Sequence, residues 1–280
     1  MTPQRVAVIG LGLIGGSIGS ALRRQGWYVR GFDQHDAAAY TAEERGLVDE
    51  LAGSLEAAVQ GAAMVVLALP IPAIIGSLPT VDAAAEHEAT IVDTGSVKGP
   101  VVSVMASLRG AHRAVGGHPL AGNERSGPAA ATPDLFRRLP FVLCPSPATS
   151  EATVTQATLL VAALRACPVR MDADRHDQVL ARTSHLPQLL SSALALSLMP
   201  EDTRLAGPAL RDMTRLAASP PELWREILTA NRSNVLSAMR AFVDHCADLA
   251  RMIEAGEEDQ LTAALTAAGV ESAPLLEQAR

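Results

Sequence analysis

A short β-branched run, Arg5–Gly10 (RVAVIG), leads directly into Gly10-Leu11-Gly12-Leu13-Ile14-Gly15, and a segment with helical spacing continues from Ile14 to Gln25. A GxGxxG set between a strand and a helix leaves few folds open, because each glycine answers a separate steric demand. Gly10 permits the tight turn, Gly12 lets the backbone approach a pyrophosphate, and Gly15 lets the helix pack close to the sheet. The NH groups that open the helix, around Leu13, Ile14 and Gly15, then face an anion. Glycine-rich turns are common, so the pattern needs support, and Asp33 supplies it. Asp33 stands 18 residues after Gly15, at the end of a second strand, Tyr28–Phe32, where a carboxylate accepts hydrogen bonds from a ribose diol. The alternative for Asp33 is a helix N-cap. Taken together, Gly10, Gly12, Leu13, Ile14, Gly15 and Asp33 are expected to bind a dinucleotide. The carboxylate repels a 2′-phosphate and is followed by Gln34 and His35, with no arginine, so NAD is expected over NADP.

The alternation continues. A helix is expected at Ala37–Arg45, further strands at Ala63–Leu69, Thr90–Asp93, Arg113–Val115 and Phe141–Cys144, a helix at Thr149–Arg165 and a last strand at Val169–Met171. This pattern predicts an α/β Rossmann-type doubly wound parallel sheet over residues 1–172. After about Asp172 the strand signals stop. Arg175–Leu198 reads as one long helix kinked at Pro187, Pro220 and Pro221 open another that runs to about Ala255, and Glu257–Ala268 supplies a last. Residues 173–280 are therefore expected to form an all-α domain. Its segment Gln188–Leu198 (QLLSSALALSL) is too apolar to face water on all sides, which predicts burial between two subunits of a homodimer.

With 48% hydrophobic and 19% charged residues the chain is neither disordered nor fibrous. Its net charge of −7 lacks the basic stripe that binding nucleic acid requires. Cys144, Cys167 and Cys246 have no CxxC spacing and read as buried thiols in a reducing cytosol, with neither disulfide nor metal site. The N-terminus does not have the shape of a signal peptide, and no run of 18 apolar residues follows; a soluble, cytoplasmic protein without membrane partners is expected. Lys98 is the single lysine, so chemistry that needs an amine must use it. It reads more readily as a solvated side chain than as a catalyst.

Two polar loops follow strands and reach the carboxyl edge of the sheet, where ligands bind in such folds. Ser96, in Gly95–Pro100, is either a helix cap or a ligand contact. His118, in Gly116–Gly127 (GGHPLAGNERSG), is held by Gly117 and Pro119 on a fixed loop and reads as functional, whereas Glu124 and Arg125 could be an exposed pair. In the helical half Gln178, Arg182, His185 and Leu189 share one face of the expected helix. His185 is open between a satisfied interior histidine and a ligand contact. His176-Asp177 precedes it, without metal spacing. Arg211 and Arg215 read as surface charges unless one of them points into a cleft.

These segments (GLGLIGGS, TGSVKG, GGHPLAGNERSG, SHLP and RDMTRLAASPPELW) resemble, in order, those of the prephenate dehydrogenase family of tyrosine biosynthesis. The resemblance implies NAD(P)-dependent oxidative decarboxylation of prephenate to 4-hydroxyphenylpyruvate and CO2, and a homodimer formed by the helical domain. It implies that His118 is the catalytic histidine, that Ser96 is the serine beside it, that His185 and Arg215 lie at the substrate, and that Glu124 lies near the pocket mouth. As an acceptor for the substrate's 4-hydroxyl, His118 should titrate at about 6 to 7. Many relatives carry a further regulatory domain; none is expected here, since the sequence ends at Arg280. Arogenate or 4-amino-4-deoxyprephenate would suit the same residues. A β-hydroxyacid dehydrogenase is rejected, because it needs a lysine in the helical half. A non-enzymatic NAD sensor explains the glycine loop and Asp33 but leaves Ser96 and His118 without a purpose.

Overall fold

The structure is a computed structural model that describes residues 4–121 and 125–278. Eight strands form one sheet: β1 (Arg5–Ile9), β2 (Tyr28–Phe32), β3 (Glu50–Leu51), β4 (Met64–Leu67), β5 (Thr90–Asp93), β6 (Ala114–Pro119), β7 (Pro140–Pro145) and β8 (Cys167–Arg170). Their order is β3-β2-β1-β4-β5-β6-β7-β8. The first six follow the doubly wound order, with its reversal between β1 and β4. Every pair is parallel except β6–β7, which is antiparallel with His118 opposite Val142. The expected doubly wound parallel sheet is present, with this one antiparallel pair added to it. The strand that begins near Arg113 also runs further than expected, to Pro119, so His118 sits within a strand and not on a loop.

Alternation in β1 separates two cores. Val6 and Val8 join Ile18, Leu22 and Val29 on one face, while Ala7 and Ile9 join Val65, Leu67 and Ile74 on the other. Helices α1 (Leu13–Arg24), α2 (Asp36–Glu44), α3 (Leu55–Val59), α4 (Ile71–Ala84), α5 (Gly99–Ala106) and α6 (Glu151–Ala163) link the strands. Because helices cover both faces, strands such as β4 and β5 are buried throughout.

After Arg170 every described element is helical. The long helix expected over Arg175–Leu198 is instead α7 (Ala173–Leu180), a π-turn over Ala181–His185 and α8 (Leu186–Ser197), with Pro187 in the first turn of α8. Proline has no NH to donate, and the ladder widens just before it. A short helix α9 (Pro208–Thr214) follows, then α10 (Pro221–Ala230). The helix expected to run unbroken from Pro220 to Ala255 stops at Asn231, which leaves helical geometry, and restarts as α11 (Arg232–Ala255); α12 (Glu258–Gln278) ends the described chain. By its contacts the chain divides into two compact units, residues 1–232 and 233–280. Among the described residues no helix is long and apolar enough to cross a membrane. Only Cys144 is buried, and burial pushes its thiol up to about 12; Cys167 and Cys246 are exposed, contrary to the expectation of three buried thiols.

Candidate active site

The first turn of α1 is open to an anion. Gly10 has φ of 90°, and a Cβ there would run into the backbone of Ala68, whereas one at Gly12 would meet nothing within 4 Å. No side chain caps α1 and no acid lies in its first turn, so its NH groups await an external acceptor. Asp33 braces this loop by accepting the NH of Leu11 at 2.8 Å on one oxygen and that of His35 at 2.9 Å on the other. It does not cap α2; His35 holds that position. Beyond the loop lies a cavity of about 440 Å³ lined by Gly12, Leu13 and Ile14, by Ala68 and Leu69 after β4, and by Ser96 after β5, among others. This is the crevice at the strand-order reversal, and its open glycine and uncapped helix fit a dinucleotide's pyrophosphate. Ser96 is half-buried there and does not cap α5, whose N-cap is Lys98.

Next to the crevice the sheet edge is locked by a buried ion pair. Lys98 is fully buried, not solvated as its sequence context suggested. Its Nζ donates to Asp93 Oδ2 and, at 2.6 Å, to the Gly117 carbonyl. Asp93 also accepts the NH of Gly95 at 2.7 Å and that of Gly117 at 3.0 Å. An ammonium is buried only where charge and hydrogen bonds satisfy it, and the end of β5 provides both. The pair fixes Gly117, and so the backbone that carries His118. His118 is itself buried, and burial, reinforced by His176, Lys98 and His185, holds it well below the ordinary histidine value of 6.5. That corrects the expectation of a titration at about 6 to 7.

The helical segment closes over this edge. His118 Nδ1 lies 2.8 Å from His176 Nε2, and His176 Nδ1 lies 2.7 Å from Asp177 Oδ1. Asp177 also accepts the backbone NH groups of Lys98 and Gly99, both at 2.8 Å. Asn231 donates its amide to the Asp177 carbonyl at 2.8 Å and contacts His185 Nδ1 at 3.2 Å. An amide NH2 only donates, so Nδ1 of His185 accepts and its neutral ring carries the proton on Nε2. Burial lowers His185 to about 4 against the pull of Asp177, and its ring meets Trp224 edge-on with centroids 6.1 Å apart.

One hydrogen-bonded network thus joins His118 to His185, while the glycine loop and Ser96 meet in the adjoining cavity. Neither histidine lines that cavity. Arg215 is exposed on a short 3-10 turn and does not line it either. Glu124 lies outside the described residues. The face expected for Gln178, Arg182, His185 and Leu189 does not form: Gln178 and Arg182 are exposed while His176, Asp177 and His185 are buried, because the π-turn shifts the helical phase. Sequence reading gave no role to Asp93, His176, Asp177 or Asn231. The signals were present, in a carboxylate ending a buried strand and a His-Asp pair nine residues before His185.

Comparison with known proteins agrees along the chain. Residues 18–169 match the family model described as prephenate dehydrogenase, nucleotide-binding domain, and residues 172–267 match that described as prephenate dehydrogenase, dimerization domain. Prephenate dehydrogenase of Bacillus subtilis is 33% identical over 91% of this chain and 72% of its own length. The crystal structure of prephenate dehydrogenase from A. aeolicus in complex with hydroxyphenyl propionate and NAD+ superposes with a TM-score of 0.90 at 28% identity, covering 98% of this chain and 99% of that one. Synechocystis arogenate dehydrogenase gives 0.83 at 28% identity, covering 96% and 98%.

Proposed function

This chain belongs to the prephenate dehydrogenase family, and from that premise we propose that it catalyses the NAD-dependent oxidative decarboxylation of prephenate to 4-hydroxyphenylpyruvate. The observation that carries this reading is His118, a buried histidine at the carboxyl edge of the sheet beside the glycine-loop cavity. Its depressed titration leaves the imidazole neutral near pH 7, as an acceptor for the 4-hydroxyl proton must be.

In this reading Gly10, Gly12, Leu13, Ile14 and Gly15 hold the pyrophosphate, Asp33 the adenosine ribose, and Ser96 adjoins the reacting end. Bound NAD supplies the hydride acceptor. His118 takes the hydroxyl proton as the carbon becomes a carbonyl, and loss of CO2 then aromatises the ring. His185 presents Nε2–H to a substrate oxygen. Arg215, with its rigid fork of donors, pairs with a substrate carboxylate. The preference for NAD rests on the carboxylate of Asp33 and the absence of an arginine after it. The domains divide near residue 172, and the helical half pairs two copies of the chain. The dimerization-domain match supports this pairing, as do the exposed apolar residues Val243 and Ile253 on α11 and Leu265 and Val270 on α12.

Arogenate is the second reading, favoured by the similarity to the Synechocystis enzyme. The test is to follow NADH or NADPH formation with prephenate, arogenate and 4-amino-4-deoxyprephenate, each with NAD and with NADP. The highest kcat/KM is expected for prephenate with NAD. A tenfold or greater advantage for arogenate would reassign the substrate, and NADH binding without turnover on any of them would overturn the reading.

A further inference from the structure

His118, His176 and Asp177 are all buried and stand in a line of contacts, 2.8 Å between the two rings and 2.7 Å from the second ring to the carboxylate. A carboxylate only accepts, so Nδ1 of His176 carries a proton. In the neutral ring Nε2 is then a lone pair, and its contact with His118 is a hydrogen bond only if His118 Nδ1 donates. The lone pair of His118 is left on Nε2. Asp177 is held in place to impose this order. The backbone NH groups of Lys98 and Gly99 bind its two oxygens, and Asn231 binds its carbonyl.

We propose that His176 and Asp177 are positioning residues that fix His118 in its Nδ1–H tautomer and stabilise the positive charge it gains during the reaction. The proposal rests on His118 being the proton acceptor. The O–H bond of the substrate breaks and an N–H bond forms at His118 Nε2, while the Nδ1 proton stays on His118. The charge of the imidazolium is felt through His176 by the Asp177 carboxylate, and no proton needs to reach Asp177. The physical logic is that of the acid that orients histidine in serine hydrolases, with a second imidazole interposed.

The test uses the full chain labelled with 15N-histidine and long-range 1H–15N correlation near neutral pH, the His118 signals being assigned by their loss in His118→Asn. Wild type should show His118 neutral with its proton on Nδ1. In Asp177→Asn the new amide can donate to His176 Nδ1, which turns His176 into a donor towards His118 and moves the His118 proton to Nε2. Turnover should then fall about 10²–10³-fold, with KM for NAD within about twofold of wild type. His176→Leu should lose a similar amount. His176→Gln, whose carbonyl can accept from His118 while its amide donates to Asp177, should recover at least about fivefold over the leucine variant. An Nε2–H tautomer in wild type overturns the proposal, as does turnover within about threefold of wild type in both Asp177→Asn and His176→Leu. Should Asp177→Asn fail to fold, the wild-type tautomer and the His176 pair decide. If His118→Asn keeps wild-type turnover, the acceptor assignment itself falls. If that variant is inactive but wild type shows Nε2–H, only the positioning role falls.

Discussion

Asp93 at the end of β5 and Asp177 in α7 are both buried carboxylates that hold loop backbone, and Lys98 touches both, through its ammonium and its backbone NH respectively. Asp93 is neutralised by a cation and also accepts the NH groups of Gly95 and Gly117. Asp177 receives two backbone NH groups and an imidazole, and among the described residues no ammonium or guanidinium pairs with it. The sheet-edge carboxylate spends its field on Lys98 and acts as scaffold. The helical one keeps its charge for the imidazole beside it. A buried pair of the first kind adds little net stability, yet removing one partner is costly because the other charge is stranded.

The largest effect should come from stranding that charge. Asp93→Asn should destabilise the protein by about 3–5 kcal/mol, measured by urea unfolding. The double variant Asp93→Asn with Lys98→Met should recover part of the loss, since no charge is left unpaired and the amide oxygen still accepts a backbone NH. A single-variant cost below about 1 kcal/mol would erase the distinction between the two carboxylates.

The helical side should instead carry a pH dependence. His118 and His185 titrate below 6.5 when folded, His185 at about 4, while the unfolded chain takes up protons near the ordinary value. The unfolded state therefore binds more protons between those limits. Stability present above about pH 6.5 should be lost as pH falls towards about 4, with His185 contributing about 2–3 kcal/mol. Urea midpoints at pH 7.5, 6 and 5 would show it, and His185→Phe should flatten the trend. Stability that rises on acidification over this range would contradict it.

Asp177→Asn sharpens the contrast, because it strands no cation. Its stability cost should be about 1–2 kcal/mol, less than half that of Asp93→Asn, although its effect on turnover is large. Asp33, only partly buried, extends the series to a carboxylate that braces a loop and faces ligand. Asp33→Ala should raise KM for NAD about tenfold and narrow the preference over NADP, with little change in unfolding. Wild type already preferring NADP would show that Asp33 only braces Leu11.

The glycine loop and most strands up to Arg170 were legible because their causes are local, whereas β3 and helices α3 and α4 were not among the expected elements. Gly10 must take a positive φ, and the apolar run of β4 marks a strand covered on both faces. His118 could be singled out by its neighbours, though not placed in a strand, since the antiparallel partner that extends β6 lies more than twenty residues on. Lys98 was misread because a lone lysine belongs in water unless a carboxylate is presented to it, and the closing of the β5 loop under β6 is what presents one. The break at Asn231 has the same origin, whereas the π-turn before Pro187 follows from the local lack of an NH. Asn231 leaves its helix to bind Asp177, 54 residues earlier, and His185, 46 earlier, and Asp177 reaches back 79 residues to Lys98. The chain by itself determined a strand, a glycine turn and a helix, along with the residue types suited to the chemistry. Which of those residues are buried, and which proton each carries, was decided only when distant segments met, because the cost of desolvating a charged or polar group depends on partners that tertiary contact alone supplies.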